Sequence, residues 1–302
     1  MNAAPSGEQH ELRAGDQRAV VTEVGATLRE YSVGGRERVD GFAAGDRADG
    51  SRGQALLPWP NRIRDGAYSW RGADEQLAID EVALHNAIHG LVRWRNWGVR
   101  ERSAERVELG LRLHAQPGYP FTLDLAIAYS LGEDGLRVVA RAENVGSDAC
   151  PFGAGFHPYL TLGGPLDAVR LTLPAAAVLR VDERMIPTGV EPVEGGELDF
   201  RSGRAVGATV LDTCFVELAR DADRLVWVTL EDGAERVALW MAEPYRYLMV
   251  YSGDTLAPQR RRRGLAVEPM TCAPNAFATG GDGLITLAPG ERVVAEWGID
   301  PR

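Results

Sequence analysis

The 302-residue sequence contains no lysine, because all 33 residues of the lysine and arginine class are arginine. This absence excludes any mechanism that needs a lysine amine, such as a Schiff base or the lysine of a phosphate-binding loop. Acidic residues number 43, which gives a formal net charge of −10. Non-specific nucleic-acid binding depends on cationic side chains that neutralise phosphates, so we expect no nucleic-acid partner.

Long apolar runs are also missing. Runs such as residues 175–179 are far too short to cross a bilayer. The chain does not open with a basic stretch followed by an apolar one, so no signal peptide is predicted. We therefore expect a cytoplasmic protein with no membrane partner.

Cysteine and histidine are scarce, with three and five residues respectively. The cysteines form no CxxC pair and are odd in number, which predicts free thiols. His85 and His89 have the spacing of a zinc-binding HExxH helix, but no glutamate lies between them and Gly90 follows at once. We predict neither a metal nor another cofactor.

The hydrophobic pattern is that of β-strands. In residues 107–113 every second residue is apolar, which is typical of a half-buried strand. No helical period lasts for three turns, and glycine-rich turn signals separate the apolar runs. This pattern predicts an all-β protein, a large antiparallel sandwich or barrel. The other short runs predicted as strands are residues 121–131, 136–142, 169–173, 225–230, 237–241 and 293–299.

Domain organisation is simple in this sequence. No long linker and no repeat of fixed period divides the chain, so we expect one domain over residues 1–302. Residues 181–200 are polar and carry several prolines and glycines, which predicts a long loop over the sandwich. Long loops in compact β domains are often functional.

Polar residues embedded among aromatics and prolines interrupt the strand pattern in four places. Arginine and asparagine hydrogen-bond hydroxyl groups, tryptophan covers an apolar ring face, and histidine with glutamate supplies a proton donor and acceptor. Together these residue types predict a sugar site. The four segments are residues 57–66, 85–91 (followed by Trp94 and Trp97), 153–160 and 265–277.

Each of these residues also has a plainer interpretation. His157, between aromatic neighbours, could be a hydrogen-bonded core histidine. Glu268, at the end of an apolar run, could be a strand-end carboxylate in water, since burying it unpaired would cost several kcal/mol. Trp59, Trp94 and Trp97 could be core residues or could line a cleft that stacks against sugar C–H faces.

In their order and spacing, these segments resemble the aldose 1-epimerase (galactose mutarotase) family, over residues 25–299. The resemblance implies a large antiparallel β-supersandwich of the galactose mutarotase-like type. It also implies a cofactor-free isomerase that interconverts the α and β anomers of an aldohexose. The matching motifs are Asn61-Arg62-Ile63, Ile88-His89-Gly90-Leu91, Phe156-His157-Pro158-Tyr159-Leu160, Leu211-Asp212-Thr213-Cys214-Phe215 and Val267-Glu268-Pro269-Met270-Thr271.

Carried over by position, the resemblance implies that Glu268 is the general base and His157 the general acid. This chemistry requires a protonated histidine and an ionised carboxylate at the same pH. Met249 stands where relatives often carry glutamine, so one hydrogen bond to a sugar hydroxyl is in question, and strict galactose preference with it. The residues that we expect to bind the sugar are Arg62, His89, Asp212, Asn61 and Trp59.

The sequence is compatible with several alternatives. The run Arg260, Arg261, Arg262 and Arg263 could accept an anionic sugar, a hexose 6-phosphate or 6-sulfonate, or could be a solvated loop. A non-catalytic carbohydrate-binding protein of the same fold would not need the histidine and glutamate motifs together. A glycoside hydrolase would need two carboxylates that flank the bond. The sequence is compatible with a monomer or a homodimer.

Overall fold

The computed structural model describes residues 4–281 and 283–302, which form 27 strands and two short helices. The helices are a 3₁₀-helix, Leu166–Ala168, and an α-helix, α1, Ala276–Thr279. The strands are β1 (Gln9–Ala14), β2 (Gln17–Thr22), β3 (Leu28–Val33), β4 (Arg36–Glu37), β5 (Ala55–Leu56), β6 (Arg62–Arg64), β7 (Ala67–Trp70), β8 (Ala73–Gln76), β9 (Asn86–Ile88), β10 (Gly98–Arg102), β11 (Arg106–Leu113), β12 (Leu123–Gly132), β13 (Gly135–Asn144), β14 (Cys150–Phe152), β15 (Gly155–Phe156), β16 (Tyr159–Leu160), β17 (Arg170–Thr172), β18 (Ala175–Val181), β19 (Pro187–Pro192), β20 (Arg204–Ala205), β21 (Asp212–Leu218), β22 (Val226–Asp232), β23 (Glu235–Met241), β24 (Tyr247–Tyr251), β25 (Leu265–Met270), β26 (Ile285–Leu287) and β27 (Arg292–Asp300).

Two large sheets dominate the fold. The nine-stranded sheet has the order β10-β11-β12-β13-β27-β23-β22-β17-β20. The eight-stranded sheet has the order β19-β18-β21-β24-β25-β15-β5, with β16 also paired to β25. A four-stranded sheet, β1 to β4, and the pairs β6–β9, β7–β8 and β14–β26 complete the molecule. The strand pairs of both large sheets are antiparallel, which confirms the predicted fold class.

The core lies between the two large sheets. Phe156 in β15 and Trp297 in β27 pack with ring centroids 5.3 Å apart, and both side chains are buried. Successive side chains of a strand point to opposite faces, so the alternate residues Leu265 and Val267 of β25 join this core. Glu268, one position along the same strand, must therefore face the opposite side of the eight-stranded sheet.

The strand predictions are confirmed, and one loop prediction is wrong. Residues 107–113 fall in β11, and the turns at residues 133–134 and 233–234 each close a hairpin. Within the predicted loop 181–200, however, β19 pairs with β18 at the edge of the eight-stranded sheet. An edge strand has one neighbour and tolerates terminal prolines and polar residues, so it lacks the apolar alternation that marks the other strands.

Helices and cysteines agree with the expectations from the sequence. The only α-helix in the described part of the chain has four residues, and no helix there is long and apolar enough to cross a membrane. Cys150, Cys214 and Cys272 are free thiols, and all three are buried.

Candidate active site

The candidate site lies on the face of the eight-stranded sheet that points away from the core. Glu268 in β25 is directly opposite Met249 in β24, and Tyr251 of β24 is opposite Asp212 in β21. Because side chains alternate along each strand, these four residues share one face of the sheet. They form the floor of an open cavity of about 350 Å³.

A carboxyl group and an imidazole meet on this floor. The Glu268 Oε1 and His157 Nε2 atoms are 3.2 Å apart, and the two side chains are 2% and 6% exposed. The His157 backbone is fixed on both sides, since its N–H donates to the Gln54 carbonyl (3.0 Å) and its carbonyl accepts from the Gly53 N–H (2.8 Å). Glu268 Oε2 has no hydrogen-bond partner among the described residues. This second carboxyl oxygen can therefore accept a hydrogen bond from a ligand.

Burial shifts the pKa values of this pair in opposite directions. Desolvation raises the pKa of Glu268 well above its usual value, and the nearby Asp212 raises it further, while Arg62 lowers it in part. Desolvation lowers the pKa of His157 to about 3, and the charge of Arg52 adds to the effect. Both shifts favour the neutral forms, a protonated carboxyl group and an uncharged imidazole. Burial thus disfavours both charges of the expected pair, a protonated histidine beside an ionised glutamate, because neither charge is solvated.

An aromatic ring and a guanidinium group stack in succession against the His157 imidazole. The Tyr159 ring stacks on the imidazole with a centroid distance of 5.1 Å and an interplanar angle of 15°. The Arg52 guanidinium lies over the same Tyr159 ring, 4.4 Å from its centroid. Arg52 is fully buried and forms an ion pair with the buried Asp40. Arg52 and Asp40 lie outside the motifs that the sequence singled out, so sequence reasoning missed this support.

His89 is held in one tautomer by its neighbour Asn61. Both residues have left-handed backbone conformations, with φ of 63° and 54°. The His89 N–H donates to the Asn61 carbonyl (2.9 Å), and the Asn61 N–H donates to His89 Nδ1 (3.2 Å). Burial lowers the pKa of His89 well below its usual value, so the ring is neutral. Since Nδ1 accepts, Nε2 carries the hydrogen, and His89 is a hydrogen-bond donor.

Two imidazoles and a carboxyl group also raise the question of a metal. His89, His157 and Glu268 each offer one atom within 4.8 Å of the others. A metal on His89 Nε2 would require the hydrogen to move to Nδ1, where it would meet the Asn61 N–H. The donor set therefore fits hydrogen bonding to a ligand better than it fits a metal ion.

Two arginines line the cavity, and each is paired with a carboxylate. Glu81 accepts from Arg62 Nε and Nη2 at 2.8 to 3.1 Å, in a bidentate arrangement. Arg93 Nη2 donates to Asp80 (3.0 Å), and Arg93 Nη1 donates to Ser51 (3.2 Å). Sequence reasoning missed all of these partners, because no motif or period distinguishes the acids at positions 80 and 81.

The structure brings together most of the predicted site residues. Trp59 is the exception: it is buried in the core with its ring 5.6 Å from that of Phe277, and it is absent from the cavity wall. Trp97 is likewise buried, whereas Trp94 is 52% exposed. The predicted residues that line the cavity are Asn61, Arg62, His89, His157, Asp212 and Glu268.

The run of four arginines does not line the cavity. Arg262 is bonded to Asp167, Asp254 and two backbone carbonyls, so it ties loops together. Arg260 donates to the Gly41 carbonyl (3.0 Å). Arg261 and Arg263 are exposed. These positions give no support to the anionic-sugar interpretation of this run.

Comparisons with known proteins identify the family and agree with the fold. The family model for aldose 1-epimerase matches residues 8–299. An uncharacterized Escherichia coli K12 protein, YihR, is 37% identical over 282 residues, which cover 93% of this chain and 89% of YihR. Human galactose mutarotase is 31% identical over 160 residues, covering 50% of this chain and 46% of the human protein. A GalM/aldose epimerase homologue from Caenorhabditis elegans superposes with a TM-score of 0.85 at 18% identity, covering 97% of both chains.

Fold and site thus define an all-β protein with a buried acid–base pair in a polar, ligand-sized cavity. The chain belongs to the aldose 1-epimerase family and is an isomerase of that class. The resemblance drawn from the five sequence motifs is confirmed.

Gly90, which follows His89, has a left-handed backbone and lies close to the Leu57 carbonyl. Its φ is 72°, and a Cβ atom there would lie 2.0 Å from the Leu57 carbonyl oxygen. Gly72 has a comparable φ of 87° with open space around it. We expect Gly72→Ala to cost about 1–2 kcal/mol from backbone strain alone, and Gly90→Ala about 3 kcal/mol or more. Chemical denaturation measures both, and equal costs would contradict the assigned close approach.

Proposed function

We propose that Glu268 and His157 catalyse the interconversion of the α and β anomers of a neutral aldohexose. The observation that carries this proposal is their buried 3.2 Å contact on the floor of a cavity lined with hydrogen-bonding groups. Opening a pyranose ring needs one group to remove the C1 hydroxyl proton and another to protonate the ring oxygen. A carboxyl and an imidazole that share one proton can perform both steps.

The reaction follows from this shared proton. When the sugar binds, the proton passes from Glu268 to His157 across their contact, and the sugar hydroxyls solvate the resulting charges. Glu268 then takes the C1 hydroxyl proton while His157 donates from Nε2 to the ring oxygen. The C1–O bond to the ring opens, the C1–C2 bond rotates, and closure on the other face of the aldehyde gives the opposite anomer. The proton count of the site is the same before and after.

The cavity wall supports a neutral substrate. Asp80, Glu81 and Asp212 line the wall with two arginines, and the Arg62 and Arg93 side chains already pair with Glu81 and Asp80. A phosphate or sulfonate would have to displace a carboxylate from one of these pairs. Hydroxyl groups, in contrast, can donate to the carboxylates and accept from the side-chain Nε2–H of His89.

The proposal also covers the domain count, the cellular location, the oligomeric state and the sugar preference of the protein. One continuous core cluster draws on residues from Leu12 to Ile299, which supports a single domain over residues 1–302. We propose a cytoplasmic enzyme that works as a monomer or homodimer, and the three free thiols suit a reducing compartment. Met249, apolar and opposite Glu268, offers the sugar no hydrogen bond, so we expect loose discrimination between hexose epimers.

The direct test is the rate at which freshly dissolved α-glucose and α-galactose reach anomeric equilibrium, followed by optical rotation. We expect the wild-type protein to accelerate it. Glu268→Gln and His157→Asn should each lower kcat by roughly 10²–10⁴-fold, since each removes one acid–base partner. Gln is close in shape to the protonated carboxyl group, so loss of activity in that variant reports chemistry and not packing.

Exposed residues of the same types serve as controls for these variants. Glu194→Gln and His114→Asn lie outside the cavity and should retain wild-type rates. Acceleration of a hexose 6-phosphate or 6-sulfonate but of neither neutral hexose would overturn the neutral-substrate proposal. No acceleration of any of these sugars would favour a non-catalytic carbohydrate-binding protein.

The pKa shifts predict the pH dependence of kcat/KM. The active site holds one proton, and a second is added only below the pKa of His157, which burial lowers to about 3. The one proton that the pair holds is lost only above the raised pKa of Glu268. We therefore expect kcat/KM, corrected for the uncatalysed rate, to show no acid limb as the pH falls from about 7 to about 5. An acid limb near 6.5, the ordinary histidine value, would contradict this account.

A further inference from the structure

Glu81 is a carboxylate on the cavity wall that the proposed chemistry does not use. Its Oε1 atom accepts from Arg62 Nη2 (2.8 Å) and Nε (3.1 Å). Its Oε2 atom accepts from Arg62 Nε and from Asn86 Nδ2, both at 2.9 Å. A carboxylate offers about four lone-pair sites, so these contacts leave Glu81 little capacity for a sugar hydroxyl. The Glu81 side chain is therefore suited to holding Arg62 and not to binding a ligand.

The ion pair with Glu81 leaves one edge of the Arg62 guanidinium free. The pair uses the Nε–Nη2 edge, and Arg62 Nη1 has no hydrogen-bond partner among the described residues. Because a guanidinium is planar and rigid, holding one edge fixes the direction of the other. Burial raises the pKa of Asp212 and of Glu268, and the charge of Arg62 opposes both rises. The charge of Arg62 therefore acts on the floor of the cavity.

Asn86 ties this ion pair to the surrounding backbone. It is completely buried, and its Nδ2 atom donates to the Arg184 carbonyl (3.1 Å) as well as to Glu81. The backbones of Glu81 and Asn86 also exchange two hydrogen bonds, of 3.0 and 3.2 Å. Glu81 is thus fixed through both its side chain and its main chain.

The turn between β18 and β19, residues 182–186, holds the same segment from the other side. Arg184 donates from Nε to the carbonyl of residue 84 (2.9 Å) and from Nη2 to the carbonyl of residue 85 (2.6 Å). The turn itself is fixed, because Asp182 Oδ1 accepts from the Arg184 N–H (2.9 Å). A continuous chain of contacts therefore leads from this edge hairpin to the arginine in the cavity.

We propose that Glu81 is a positioning residue that aims Arg62 at the bound sugar, and that Arg184 holds Glu81 in place through Asn86. The inference rests on the proposed mutarotation and gives the β18–β19 hairpin a part in sugar binding. None of these three supporting residues exchanges a proton with the sugar. Their loss should therefore weaken binding and leave the chemical step nearly unchanged.

The test measures KM and kcat separately for the anomeric exchange of glucose, by NMR saturation transfer at equilibrium. Glu81→Gln keeps the shape of the side chain but removes the ion pair, and we expect it to raise KM by roughly 5- to 50-fold. We expect kcat to change by less than about 3-fold. Arg184→Ala should raise KM by roughly 2- to 10-fold, since it acts at a greater distance. Glu296→Gln, which breaks a similar side-on pair with Arg137 outside the cavity, should change neither constant.

A double variant tests whether Glu81 acts through Arg62. In the Arg62→Met protein, the further change Glu81→Gln should not raise KM again. Additive effects would show that Glu81 contacts the sugar itself and would overturn the proposal. A lower kcat at unchanged KM in Glu81→Gln would also overturn it, because a purely structural role reduces the folded fraction and not the affinity.

A binding measurement separates failure of this inference from failure of the proposed function. The dissociation constant for glucose is obtained by NMR titration of the isotope-labelled protein, which needs no turnover. Weaker binding by Glu81→Gln, without catalysed exchange by the wild type, would support the positioning role and overturn the mutarotase proposal. Catalysed exchange by the wild type, with the same dissociation constant in Glu81→Gln, would overturn the positioning role alone.

Discussion

The site depends on one constraint, the burial of a carboxyl group against an imidazole. Glu268 and His157 are each almost fully buried, and their contact is 3.2 Å long. The low-dielectric surroundings penalise charge on either group and favour the neutral pair. In the proposed reaction, a bound sugar brings hydroxyl groups into the cavity and reduces that penalty at the point where charge must develop. The same burial that costs folding stability would thus prepare the pair for the proposed proton transfer.

The fold supplies this burial by using the two faces of one sheet differently. The face of the eight-stranded sheet that packs on the nine-stranded sheet is apolar, with Val267 in the core. The opposite face carries Glu268, covered by the segments around Asn61 and His89. The left-handed backbone at both of those residues allows their reciprocal hydrogen bonds, and this local strain is balanced by the contacts that it makes possible.

Much of the fold and part of the site follow from the sequence. The strands are predictable because apolar and polar residues alternate along them with a period of two. Five motifs in order predicted the family, and six of the seven predicted site residues line the cavity, although their roles stay predictions. Trp59 was wrongly predicted to bind the sugar, because the sequence around an aromatic residue does not distinguish one that covers a ligand from one that fills the core. Glu81 and Arg52 were missed because their partners are distant in sequence and form no pattern. Strand β19 was missed because an edge strand needs no apolar face.

The most direct test of the shared-proton account is the protonation state of Glu268 in the sugar-free protein. Infrared difference spectra between the wild type and Glu268→Gln at pH 7 isolate the vibrations of this one side chain, with Glu194→Gln as the exposed reference. The account predicts a carbonyl stretch of a protonated carboxyl group in the wild type, absent from Glu268→Gln, because burial raises the pKa of Glu268 well above its usual value. A carboxylate signal alone at pH 7 would contradict it and would indicate an ion pair with His157.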